Sequence, residues 1–120
     1  MRYLCLLIGE PDVAVPVPGT AEFARLMEDF QTAASAMHKA GVVIDSGPLE
    51  QPSAARTLRL RNGKQLVTDG PFAEIKEVIG GYFVLECGSI DEALEWMATL
   101  PSPRYGAIEV RPLMRLPGHE

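Results

Sequence analysis

Apolar residues run without a break from Tyr3 to Ile8 and stop at Gly9, the pattern of a central strand buried on both faces. Prolines at 11, 16 and 18 make the stretch from Pro11 to Gly19 a loop. Thr20 stands as a cap before Phe23, Leu26, Met27, Phe30, Ala34 and Met37, which recur at helical spacing until Gly41 and predict the first helix. Val42-Val43-Ile44 then reads as a short β-branched strand stopped by Gly47 and Pro48. From Ala55 to Thr68 two alternating segments flank Asn62-Gly63, the strongest local signal for a hairpin turn. A two-residue turn sets Leu58 opposite Val67 and Arg56 opposite Asp69. A three-residue turn ending in a glycine bulge sets Leu58 opposite Leu66, and the register stays open at this point.

Asp69-Gly70-Pro71 is turn chemistry, and Gly80-Gly81 opens an apolar strand from Tyr82 to Cys87. Ser89-Ile90-Asp91-Glu92 has the capping-box form, and Ala93, Leu94, Met97 and Leu100 make the apolar stripe of a second helix that Pro101 ends. Gly106 to Pro112 alternates as a half-exposed strand. The domain spans 1–114, with 115–120 as a C-terminal tail. The order of two strand-helix-strand units around an inserted hairpin predicts an α+β fold of the ferredoxin-like type. Right-handed crossovers place both helices on one face of an antiparallel sheet. The other sheet face would expose the second sides of the strands Tyr3–Ile8 and Tyr82–Cys87, so a homodimer closed through that face is expected.

Composition narrows the function classes. With 47% hydrophobic and 22% charged residues in 120, the chain suits one packed core rather than a disordered segment. The net charge is −5 and the basic residues are scattered, so direct nucleic-acid binding is not expected. The first apolar run is far too short to span a membrane and no cleavage site follows it, which makes the cytoplasm the expected location and a membrane partner unexpected. Cys5 and Cys87 sit singly inside apparent strands and read as small buried apolar residues. No zinc spacing, phosphate-binding glycine loop or nucleophile-base order occurs, so no cofactor and no metal are expected.

The segment Val67-Thr68-Asp69-Gly70-Pro71-Phe72-Ala73-Glu74, followed by Lys76-Glu77 and Gly80-Gly81-Tyr82, resembles the DGPF group of the YCII-related family. The helix Asp91 to Trp96 and the closing Ile108-Glu109-Val110-Arg111-Pro112 are similar to that family's C-terminal half. The resemblance implies a dimeric α/β-barrel of ferredoxin-like domains, a fold shared with small cofactor-independent isomerases and oxygenases. It also implies two functional classes: an enzyme acting on a small organic molecule, or a regulatory module associated with an alternative sigma factor in transcription. The YCII branch pairs a histidine with an aspartate. Here the histidines are His38, at the end of the first helix, and His119, in the tail, which departs from that pattern.

Among individual residues, Asp69 is the candidate catalytic carboxylate, held at a turn by rigid Gly70-Pro71 and able to act as a general base. Its structural alternative is an Asx-turn bond to the backbone beyond it. Arg56 could clamp a substrate carboxylate or simply pair with Asp69 across the hairpin. Phe72, Glu74 and Lys76 complete a candidate ligand-binding rim, with Glu77 beside them, and packing or a solvated surface is the plain reading of each. Tyr82 offers a phenol at a pocket mouth, against the ordinary role of an aromatic at the start of a buried strand.

Overall fold

Capping and apolar spacing set the two helices where the sequence places them. A computed structural model describes residues 1–71 and 77–118. Helix α1 spans Ala21–Lys39, and the Thr20 side chain accepts a hydrogen bond from the Phe23 amide at 3.2 Å. Helix α2 spans Ile90–Ala98, and Ser89 accepts from the Glu92 amide at 3.1 Å. The reciprocal half of the expected capping box differs slightly, because the Glu92 carboxylate accepts from the Gly88 amide at 2.6 Å rather than from Ser89.

Among the described residues six strands accompany the helices: β1 Arg2–Gly9, β2 Val43–Pro48, β3 Arg56–Arg61, β4 Lys64–Asp69, β5 Val78–Glu86 and β6 Gly106–Pro112. Four of them form an antiparallel sheet in the order β2-β5-β1-β6. Each strand-helix-strand unit therefore skips one position and encloses a strand of the other, the interlocked arrangement of the ferredoxin-like fold. Strand β2 runs four residues beyond its β-branched start, through Pro48. It is an edge strand, where Pro48 leaves no ladder bond unmade.

Strand β5 likewise begins at Val78, before the two glycines. Leu7 pairs with Gly81 and Ile8 with Ile79, so Gly80 is an extra residue in a bulge. Gly81 lets the strands close up, since a Cβ there would stand 3.0 Å from the Gly47 carbonyl oxygen. Gly106 opposes Gly9 at the end of β6, and any Cβ would collide with the Ile8 carbonyl.

The core lies between the sheet and the helices. Tyr3, Cys5, Phe83, Leu85 and Cys87 from the sheet meet Ala33 and Met37 of α1 and Ala93 and Met97 of α2, with Leu100 closing the end. Phe30 and Phe83 add a tilted ring contact with centroids 6.2 Å apart. The opposite sheet face carries Leu4, Leu6, Tyr82 and Val84, all only half buried. Strands β3 and β4 form a separate two-stranded sheet. Asn62 and Gly63 both adopt positive φ, 52° and 75°, as a two-residue type I′ turn requires. This settles the register: Leu58 pairs with Val67 and Arg56 with Asp69. Among the described residues no helix is long and apolar enough to cross a membrane.

Candidate functional site

The Asp-Gly-Pro turn joins the hairpin to the route back into the sheet. Gly70, at φ 92°, donates its amide to the Ala55 carbonyl at 2.8 Å, and the Thr57 hydroxyl donates to the Gly70 carbonyl at 2.8 Å. Thr57 is thereby buried, and the turn is locked to the base of β3. Asp69 enters a cross-strand ion pair with Arg56, 3.1 Å between Nε and Oδ1, with both side chains largely in solvent. The register that the turn imposes is the cause of this pairing.

Beyond Pro71 lies a cavity of about 360 Å³, within the size range of small-ligand sites. Its walls come from three segments: Leu49 to Ala55 between β2 and β3, Pro71, and Glu77 to Ile79 at the start of β5. A hydrogen bond from the Leu49 amide to the Gly80 carbonyl, 2.9 Å, holds the first wall to the third. Most of the lining is apolar. Glu50, Gln51 and Glu77 supply its polar groups, two carboxylates and an amide.

Asp69, Arg56 and Tyr82 do not line this cavity. Tyr82 lies instead on the helix-free face of the sheet, where its hydroxyl donates to Asp45 Oδ2 at 2.8 Å. That hydrogen bond is the main reason the phenol is held above its ordinary pKa. Across the same face, Tyr82 pairs with Leu6 and Leu6 with Glu109, and Glu109 forms an ion pair with Arg111 two residues along β6. Asp45–Tyr82 and Glu109–Arg111 thus flank an apolar strip of Leu4, Leu6 and Val84.

Phe72, Glu74 and Lys76, three of the ligand-binding candidates, lie outside the described residues. Sequence reasoning missed Glu50, Gln51 and Asp45. Glu50 and Gln51 sit in a proline-containing connection with no periodicity, and Asp45 follows the β-branched run of its strand with no motif around it. Among the described residues no group of three or more His, Cys, Asp and Glu side chains is placed to hold a metal ion.

An uncharacterized protein of Rhizobium meliloti (strain 1021) is 39% identical over 94 residues, which cover 77% of this chain and 76% of that protein. The solved structure of 5-chloro-2-hydroxyhydroquinone dehydrochlorinase from Burkholderia phenoliruptrix AC1100, in complex with 2,5-dihydroxybenzoquinone, superposes with a TM-score of 0.50 over 100% of both chains. At 14% identity that likeness concerns the fold. The model of the YCII-related domain matches residues 1–117, and the chain belongs to the YCII-related family.

Proposed function

We propose that this protein is a small cytoplasmic enzyme that performs acid-base chemistry on a small organic molecule, and that it works as a homodimer closed through the helix-free face of the sheet. The observation that carries the reading is the cavity of about 360 Å³ behind the Asp-Gly-Pro turn, apolar on its walls and edged by Glu50, Gln51 and Glu77. Such a lining suits a flat organic substrate: Leu49, Pro52, Val78 and Ile79 cover its faces, and a carboxylate takes up a proton at its edge. The fold neighbour holds 2,5-dihydroxybenzoquinone, a ligand of that shape, which supports the choice of substrate class.

Asp69, paired with Arg56 beside the cavity rather than in its wall, is the candidate base that the turn chemistry suggests, and Glu50 and Glu77, which line the cavity, compete for the role. The dimer is supported by the strip of half-buried Leu4, Leu6 and Val84, which a twofold partner would cover.

Calorimetric titration with 2,5-dihydroxybenzoquinone and related hydroxyquinones tests the reading, followed by turnover assays on any compound that binds. Loss of a catalytic base by Asp69→Asn, Glu50→Gln or Glu77→Gln lowers turnover on the order of 10²- to 10⁴-fold, and the variant with that loss identifies the base. If no small molecule binds and the protein retains an alternative sigma factor from cell extract, the enzyme reading falls and the regulatory one replaces it. The sheet-face dimer is read separately: Leu6→Arg should give a monomer by light scattering.

A further inference from the structure

The β3–β4 hairpin has two unlike faces. Its register sets Leu58, Leu60, Gln65 and Val67 on one face, and Thr57, Arg59, Arg61, Lys64 and Leu66 on the other. The second face is tied down at its base by the buried Thr57. On the first, Leu58, Leu60 and Val67 remain 62%, 65% and 63% exposed. A two-stranded hairpin is marginal in water unless something packs on it, and adjacent apolar side chains left this bare mark a docking face.

The dimensions agree. The radius of gyration is 16.7 Å, against about 14 Å for a compact domain of this length, and the molecule is a flat 50 × 41 × 18 Å.

Charge indicates what covers the hairpin. Arg56 and Asp69 offset each other at the base, and Arg59, Arg61 and Lys64, on the second face and at the tip, give residues 56–69 a net +3, so that with −5 for the whole chain the remainder carries −8. The apolar surfaces of that remainder are edged by carboxylates: Glu50 and Glu77 at the cavity, and on the helix-free sheet face Asp45, with Glu109 there balanced by Arg111. A basic arm with bare leucines and an acidic body with bare apolar surface complement one another, and every copy of the chain carries both. Exchange between two copies is reciprocal and closes with twofold symmetry.

We propose that the β3–β4 hairpin is an intermolecular arm, packing Leu58, Leu60 and Val67 of each protomer on the acidic body of a second copy. The arm adds to the sheet-face contact proposed above and stands or falls apart from it.

Sedimentation equilibrium of the full chain tests the arm. In Leu58→Ser/Leu60→Ser the dimer dissociation constant rises by about tenfold or more, with an unchanged far-ultraviolet circular dichroism spectrum. Arg61→Glu/Lys64→Glu weakens association as well and flattens its salt dependence. Hydrogen exchange of hairpin amides slows as the wild-type concentration rises. A dissociation constant unchanged in both double variants overturns the arm, as does a wild-type chain that is monomeric throughout or a hairpin equally protected at the lowest concentration. Leu6→Arg separates the two contacts. If it dissociates the dimer while both hairpin variants do not, the sheet contact stands and the arm is refuted; the opposite pattern supports the arm and removes the sheet contact.

Discussion

The four-stranded sheet and the β3–β4 hairpin are both antiparallel and both set apolar side chains on a common face, yet they reach opposite states. In the sheet, alternate residues of β1 and β5 are sealed under two helices, and Leu85 and Cys5 have no exposed surface. In the hairpin, alternation of apolar and polar residues leaves Leu58, Leu60 and Val67 mostly bare. Both sets of strands have an antiparallel register that gathers apolar residues on a face. What differs is the covering layer. The helices α1 and α2 return over the sheet because each crossover connects strands of that sheet. The hairpin is an insertion between β2 and β5, and among the described residues no helix returns over its strands. Alternation thus specifies which residues share a face, whereas connectivity decides whether that face is buried within the chain.

The largest effect that would break this contrast is on packing. Leu85→Ala removes a fully buried side chain and should cost about 2–5 kcal/mol in urea unfolding, whereas Leu58→Ala, measured where the chain is monomeric, should stay within about 0.5 kcal/mol. Equal costs would mean that the hairpin is covered within its own chain.

A second, smaller effect sharpens the contrast through pH. Burial, with a further contribution from Cys87, pushes the Cys5 thiol up to about 11 from its usual 9.0. Above pH 9 the unfolded chain gives up that proton while the folded chain keeps it until about 11, so the folded state binds more protons in this window. Stability conferred by the neutral thiol is therefore complete below pH 9 and declines as pH rises toward 11. The slope reaches at most about 1.4 kcal/mol per pH unit. Urea midpoints at neutral and alkaline pH should fall more steeply for the wild type than for Cys5→Ala; parallel slopes would show that the thiol ionises as readily folded as unfolded.

The smallest effect is at the hairpin base. Arg56 and Asp69 are paired at 3.1 Å but exposed by 59% and 88% of their side chains, so a double-mutant cycle of Arg56→Gln and Asp69→Asn should give less than about 1 kcal/mol. A larger coupling would give the pair a structural weight that its exposure denies.

Much of the fold was legible because its signals are local. Thr20 and Ser89 caps, the apolar stripes of α1 and α2, and the Asn62-Gly63 turn each work within a few residues and are found where the sequence sets them. The hairpin register was open on the sequence alone, since both turn lengths keep Asn-Gly at the tip. The positive φ at both residues selects the tighter turn, and with it the Arg56–Asp69 pair. The start of β5 at Val78 was hidden because a glycine pair reads as a break, and only pairing with β1 shows Gly80 as a bulge inside the ladder.

The site divides in the same way. The sequence by itself determined the family motif, the turn that Asp69-Gly70-Pro71 makes, and the carboxylate at its start, because turn chemistry and motif spacing are properties of consecutive residues. Only the tertiary structure decided that Glu50, Gln51 and Glu77 edge one cavity, that Tyr82 turns away from it toward Asp45, and that Asp69 meets Arg56. Those meetings depend on where β2, β5 and the hairpin base come together, between residues more than 20 positions apart for Glu50 and Glu77 and 37 apart for Asp45 and Tyr82. No local pattern in a single chain records a proximity created by sheet order and register.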